Sequence, residues 1–186
     1  MDRTSEQARA VGAVVLRHVI NLGQGAAIQT GIEYALRAGA EFIATFDADG
    51  QHDPADLLVM LEELEQSGAD VALGSRFLGS APGLTLGRRL VLCLALLHQR
   101  LTLGVPLTDA HNGLRLFRRT AAEKIRISQN RMAHSSEMTA QIAALGLRVA
   151  EVPCVVRYTA YSKQKGQRLS GAFQILLDLA IRRLHP

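Results

Sequence analysis

Tryptophan is absent from this sequence, and aromatic residues make up only 4% of its 186 positions. Proteins that hold single-stranded nucleic acid stack bases on aromatic rings, so this scarcity removes nucleic acid from the expected partners. Cysteine is nearly absent too. Cys93 and Cys154 each lie in an apolar run without histidines at ligand spacing. That pattern reads as two buried, reduced thiols of a cytosolic protein rather than a metal site. The opening Met1-Asp2-Arg3-Thr4 carries no apolar signal segment. The leucine-rich run Leu90–Leu97 is far shorter than the about 20 residues that cross a bilayer, so no transmembrane helix is expected. Internal repeats and interdomain linkers are missing as well, and residues 1–186 read as one domain.

What is present is aliphatic and basic. The chain is 48% hydrophobic and 20% charged, as a globular domain with a sizeable core should be. Its formal charge is +4, with much of the excess after Gly83. That balance suits a membrane surface or a substrate bearing phosphate.

Strand and helix signals alternate through the first half. Thr4 with Gln7 forms a capping box for a short helix ending near Gly12. Ala13-Val14-Val15-Leu16-Arg17 reads as a strand. Gly25–Arg37 is a helix with Ile28, Ile32, Ala35 and Leu36 on one face and Gly39 just past its end. Phe42–Phe46 is a short apolar run, as a buried parallel strand should be. Asp53-Pro54 opens a helix carrying Leu57, Leu58, Leu61 and Leu64 and stopping at Gly68, and Asp70–Gly74 is the next strand. This alternation predicts an α/β fold with a mixed, mostly parallel sheet.

Leucine dominates the next stretch. Leu84–Leu103 reads as a helix with Arg88, Arg89, His98 and Arg100 bracketing its apolar middle. A polar loop over Thr108–Asn112 precedes a strand through Leu114–Phe117. A helix over Ser136–Leu145 and a strand over Arg148–Tyr158 follow, with Pro153 marking an edge or a bulge. Tyr161–Arg168 is a basic loop, and residues 169–184 form a last amphipathic helix.

The chemistry centres on Asp47-Ala48-Asp49, directly after the apolar run Phe42–Phe46. Side chains at the carboxyl end of a parallel strand emerge into the crevice where α/β sheets bind ligands. Two carboxylates at i and i+2, with Gly50 supplying the turn, can reach one hard cation, and that cation can hold a diphosphate. A solvated turn is the plain alternative for any single D-x-D.

Six segments in order carry a family resemblance. Phe46-Asp47-Ala48-Asp49-Gly50-Gln51-His52-Asp53-Pro54 resembles the metal-binding segment of family-2 glycosyltransferases, above all the dolichyl- and polyprenyl-phosphate sugar synthase branch. Asn21-Leu22-Gly23-Gln24-Gly25-Ala26-Ala27 is similar to the family's N-x-G-x-G-x-A helix start, and Gly74-Ser75-Arg76-Phe77 to its G-S-R segment. Asp109-Ala110-His111-Asn112-Gly113-Leu114-Arg115 resembles the branch's D-x-x-S-G-F-R, with Asn and Leu in place of Ser and Phe. Glu151-Val152-Pro153 and the basic run from Tyr161 to Gln167 complete the match.

The resemblance implies a GT-A fold, the Rossmann-like nucleotide-diphospho-sugar transferase architecture. It implies inverting transfer of a sugar from a nucleotide-diphosphate donor to a polyprenyl-phosphate or other glycan acceptor. Asp47 and Asp49 would then hold Mg²⁺ or Mn²⁺ against the donor. Asp109 is the candidate base, with a loop-capping role as the alternative. Arg115 is a candidate phosphate partner, against a structural ion pair. Lys163 and Lys165, with Arg168, would meet diphosphate or anionic headgroups, against ordinary solvated surface. Gln51 and His52 adjoin the metal turn as candidate substrate contacts. Glu137 reads as a stabilising first-turn acid. The implied location is cytoplasmic, peripheral on the inner face of the cell membrane, with helices 84–104 and 169–184 at the lipid. A second copy of the chain or a small membrane protein is a candidate further partner.

Family members begin with an apolar strand ending in a P-x-Y-N-E-like segment, then a helix and a second strand ending in D-D-G-S. This chain shows neither, and about thirty residues, one strand–helix–strand unit, are expected to be lacking. Phe42–Phe46 should then have an open edge, which Val14–Arg17 or another chain could cover. Two rival readings remain. A haloacid-dehalogenase-type phosphatase also places D-x-D after a buried strand, but Gln51 stands where that motif needs Thr. The other rival is a catalytically impaired remnant that binds a membrane or a partner.

Overall fold

A computed structural model describes residues 3–109, 112–129 and 133–158. The basic loop with Lys163, Lys165 and Arg168, and the expected helix 169–184, lie outside the described residues. Six helices and four strands follow one another in the described chain. They are α1 (Thr4–Ala10), α2 (Gln24–Arg37), β1 (Phe42–Thr45), α3 (Ala55–Ser67), β2 (Val71–Ser80), α4 (Leu86–Leu103), β3 (Arg115–Arg118), α5 (Arg119–Ala122), α6 (Ala133–Ala144) and β4 (Val149–Val155).

The sheet runs β1-β3-β2-β4. β3 is antiparallel to both β1 and β2, while β4 is parallel to β2. Three strands therefore share one direction, and the reversed β3 lies between two of them. The sheet is mixed as expected, though the reversal makes two of its three pairings antiparallel. Alternate residues of each strand feed opposite faces. Val71, Leu73, Ile43 and Phe117 pack with Ile32, Ile125, Met138 and Ile142, under α2, α5 and α6. Ala72, Leu114, Leu116, Val152 and Cys154 pack with Met60 and Leu64 of α3 on the other face. Helices on both faces of one sheet are the α/β layering the sequence predicted.

Several expectations need correction. No strand forms over Ala13–Arg17; the segment is irregular, with Val14 63% and Leu16 43% exposed. A strand exists only through a partner's backbone groups, and none lies beside it among the described residues. α1 begins at Thr4, and its cap residue is Arg3 and not the expected Thr4. Arg3 instead pairs with Glu6 at 3.0 Å. β2 extends to Ser80, well beyond the expected Gly74. Cys93 is exposed, since α4 turns much of its apolar side outward; Cys154 is buried as expected. β4 is an edge strand whose register against β2 breaks between Ser75 and Ser80, so Pro153 meets both of its anticipated roles.

Two features position the site. β1 ends the sheet on its far side, leaving one edge open among the described residues. α2 crosses close to the segment ahead of α6 because Gly25 has no side chain: a Cβ there would overlap the Gln129 carbonyl. Glu137 holds that same segment, accepting from the backbone N–H of Ser128 and of Gln129, the latter at 2.9 Å. Its role is structural, but it lies beyond the first turn of α6, so it acts by holding this segment and not as the first-turn acid expected.

Candidate active site

A cleft of about 830 Å³ follows the open edge of β1. Ile28, Gly31, Ile32 and Ala35 of α2 and the residues of β1 form its apolar stretch. Asp47, Asp49, Gln51, His52, Arg76, Arg88, Arg115 and Tyr158 form its charged stretch. The reason is local. β1 delivers the apolar run, Gly50 takes φ +79° to turn the chain, and Asp53 accepts from Ala55 N at 3.1 Å to start α3. The carboxylates between those anchors are left at the strand's exit, half-buried.

The acidic wall is loosely held. Gln24 Nε2 donates to Asp47 Oδ1 at a long 3.4 Å, and Gln51 N donates to Asp49 Oδ1 at 3.1 Å. The loop before β3 presses against Asp47: Thr45 Oγ1 donates to the Gly113 carbonyl at 2.7 Å, and a Cβ on Gly113 would overlap the Asp47 carboxylate. His52 sits behind the turn, 7% exposed, with its ring 5.9 Å from that of Phe46. Burial pushes its pKa below the usual 6.5, and Asp47 only partly opposes that. His52 is neutral at pH 7.

The basic wall is built differently. Arg76 is 7% exposed. Its backbone N–H and its Nε donate to Asp109 Oδ2 at 2.9 and 2.7 Å, and its Nη1 donates to the Tyr158 hydroxyl at 2.5 Å. Arg88 of α4 lies over the other side of this unit, its guanidinium 4.9 Å from the centroid of the Tyr158 ring. Arg115 is fully enclosed, donating to Ser135 Oγ and Met138 Sδ, and makes no ion pair among the described residues. Burial pulls its pKa down to about 10 although Asp47 and Asp109 raise it, so it stays a cation.

The structure thus brings Asp47, Asp49, Gln51, His52 and Arg115 into one cleft. Asp109 is not among the residues lining it: its carboxylate is buried against Arg76 and Asn112. Arg76, Arg88, Tyr158 and Ser135 line the cleft without having been singled out as site residues. Arg76 carried a signal in the G-S-R segment; Tyr158, three residues past the end of β4 where the sequence had predicted the strand to continue, carried none.

Asp47 and Asp49 fit a hard divalent cation shared with a substrate. The described residues contain no cluster of three or more His, Cys, Asp or Glu side chains able to hold a metal alone. Magnesium and manganese sites that serve phosphate transfer use one or two carboxylates, with water and substrate oxygens completing the shell.

The fold is that of GT-A glycosyltransferases. It superposes on the crystal structure of Mycobacterium tuberculosis glucosyl-3-phosphoglycerate synthase in complex with Mn²⁺ and UDP-glucose with a TM-score of 0.64, at 18% identity, over 100% of this chain and 65% of that one. The family model for glycosyl transferase family 2 matches residues 1–126, and the chain belongs to that family. It is 36% identical over 188 residues to the uncharacterized protein MJ1222 of Methanocaldococcus jannaschii, covering 99% of this chain and 77% of that protein. It is 33% identical over 178 residues to the polyprenol monophosphomannose synthase of Mycolicibacterium smegmatis, covering 90% of this chain and 66% of that protein. The chain therefore spans about three quarters of MJ1222 and about two thirds of the synthases.

Proposed function

We propose that this chain carries the catalytic cleft of a metal-dependent transferase that moves a sugar from a nucleotide-diphosphate donor to a polyprenyl phosphate. One observation supports the acceptor class. Among the described residues lining the cleft, the only carboxylates are Asp47 and Asp49, and Arg76, Arg88 and Arg115 share it with them. With both carboxylates given to the cation, none in the cleft remains to deprotonate a hydroxyl. A phosphomonoester needs no base, because its oxygen is already ionised at pH 7 and is drawn to guanidinium groups.

Mg²⁺ or Mn²⁺ bound at Asp47 and Asp49 supplies positive charge that stabilises the departing nucleoside diphosphate. The chain's own residues do the rest. Gln51 and His52 fix the turn that presents the two carboxylates. Arg115 supplies a fixed positive charge in the same cleft, and Arg76 with Arg88 orients the acceptor phosphate. Preorganised charges of this kind lower the barrier because they need no rearrangement as the bond breaks.

A lipid acceptor places the cleft at a membrane, and α4 is suited to that position. Leu86, Leu90, Leu94, Leu97 and Leu101 are all exposed along the helix, while Arg88, on the same helix, lines the cleft. Arg88, Arg89 and Arg100 suit anionic headgroups. No helix among the described residues is long and apolar enough to cross a bilayer. Attachment is peripheral, at the inner face of the cell membrane, and the protein should pellet with anionic liposomes at low salt but not after Leu90→Asp with Leu97→Asp.

Turnover decides the substrate. The protein, a panel of nucleotide-diphosphate hexoses and Mn²⁺ are incubated with undecaprenyl phosphate, undecaprenol or 3-phosphoglycerate. Transfer to undecaprenyl phosphate alone is the expected result; transfer to undecaprenol would refute the argument from missing carboxylates, and transfer to phosphoglycerate would move the acceptor to a soluble phosphate. The open edge of β1 favours the rival reading of an impaired remnant, which predicts no transfer to any acceptor.

A further inference from the structure

Asp109 stands where a base is expected, yet its geometry gives it other work. Its Oδ2 accepts three bonds: the backbone N–H of Arg76 at 2.9 Å, Arg76 Nε at 2.7 Å and Asn112 Nδ2 at 3.2 Å. Its Oδ1 is buried without a partner among the described residues, and the residue does not line the cleft. A base must reach the acceptor's proton directly or through one water. What reaches the cleft from Asp109 is Arg76, continued by Tyr158 and Arg88.

Two guanidinium groups meeting at one tyrosine repel each other, and a buried one is costly without compensation. Both costs are offset here. Asp109 sets a full negative charge behind Arg76, and the Tyr158 ring gives Arg88 a negative π face while its hydroxyl accepts from Arg76. Burial alone would lower the Arg76 pKa; Asp109 and Tyr158 outweigh it and leave it raised. Asn112 holds the carboxylate in turn, and Thr108 anchors the loop just ahead of it. Asn112 ties it to β4 through the Cys154 sulfur at 3.3 Å, and Thr108 N and Oγ1 are gripped by Glu151 at 2.8–2.9 Å.

We infer that Asp109 and Tyr158 are positioning residues that lock Arg76 and Arg88 into a preformed clamp for the acceptor's phosphate. The inference rests on the acceptor class proposed above. Asp109 takes no proton in the reaction; it fixes the donor directions of Arg76 before the acceptor arrives, so its loss weakens acceptor binding more than the chemical step.

Steady-state kinetics with geranyl phosphate, a soluble isoprenyl monophosphate, tests this. Asp109→Asn should raise the acceptor KM by roughly 10–100-fold, the range for a lost charged hydrogen bond, with kcat within a few fold and the kcat–pH profile unchanged in shape. Tyr158→Phe keeps the ring and removes one anchor, so it should raise the same KM by roughly 3–10-fold. The two effects should be non-additive when combined. A fall in kcat by orders of magnitude at constant KM, with loss of one limb of the pH profile, would make Asp109 the base and overturn the inference. If Asp109→Asn does not fold, Tyr158→Phe decides alone, and an unchanged KM overturns it.

A failure of the acceptor reading shows separately, as absent turnover of geranyl phosphate by the unmodified protein. The clamp is then judged by nuclear magnetic resonance of the Arg76 Nε–H. That proton should be protected from solvent exchange in the parent chain and lose protection in either variant. Equal exchange in all three refutes the preformed clamp.

Discussion

The two walls of the cleft carry opposite charge and are held in opposite ways. Asp47 and Asp49 are half-buried, and the hydrogen bonds that reach them from the described residues are a long 3.4 Å contact from Gln24 and one backbone N–H. Arg76 and Arg115 are 7% and 5% exposed, with donors fixed by Asp109, Tyr158, Ser135 and Met138. On the proposed function, the wall that exchanges a cation and a departing diphosphate keeps its oxygens free for those ligands. A wall that only has to present positive charge gains from being rigid, since a fixed dipole or charge needs no reorganisation during reaction. The difference is a division of labour between an adaptable side and a preorganised side.

Removing a carboxylate should break the comparison most severely. Asp49→Ala is expected to reduce metal-dependent turnover by roughly 10²–10³-fold, comparable to losing one group that stabilises transition-state charge. Calorimetry with Mn²⁺ and a nucleoside diphosphate should show the binding heat disappear. Unchanged metal-dependent binding would remove the cation from this turn.

Arg115→Met sharpens the contrast from the other side. Its guanidinium is enclosed without an ion pair among the described residues, and burial already draws its pKa down to about 10. Replacing such a group by an apolar chain of similar length should not lower the melting temperature. Affinity for the nucleotide-diphosphate donor should still fall roughly 10–100-fold, the value of a charged hydrogen bond. A protein destabilised yet unaltered in affinity would make Arg115 structural.

Gly113→Ala tests whether the adaptable wall has a limit. The added Cβ would overlap the Asp47 carboxylate and turn it away. Metal affinity should fall by about tenfold, the lower range for disturbing a group that orients a ligand, while the melting temperature changes little.

The smallest effect concerns His52 behind the acidic turn. Its folded pKa lies below 6.5, so the unfolded chain binds more protons in the window beneath that value. His52's contribution to stability is fully present above pH 6.5 and is lost as pH falls through the window towards the folded pKa. The melting temperature should drop by a few degrees from pH 7 to 5.5, and His52→Gln should flatten that slope. An equal slope in both proteins would assign the acid sensitivity elsewhere.

Much of the first half was legible because its signals are local. The face of α2 at Ile28, Ile32 and Ala35, the Asp53-Pro54 start of α3, its stop at Gly68 and the apolar run of β1 each declare themselves within a few residues. Ala13–Arg17 has the same apolar look as β1 and is no strand. Composition could not separate the two, since β1 finds Arg115–Arg118 beside it and Ala13–Arg17 finds no partner among the described residues. The site divides likewise. Asp47 and Asp49 were visible as a strand-end pair. Tyr158 was not, because its partner Arg76 is 82 residues away and the segment after β4 shows no motif.

By itself the sequence determined the α/β class, the acidic turn at the end of β1 and the family. Those depend on short-range pattern: apolar runs, caps, turn glycines and the spacing of two carboxylates. Tertiary structure alone decided the reversed direction of β3, the irregular course of Ala13–Arg17 and the burial of Asp109 behind Arg76. Strand direction follows from which edge is free when a segment docks, and burial of a charge follows from whether a counter-charge arrives from far along the chain. Both depend on contacts between distant residues, which no local pattern encodes.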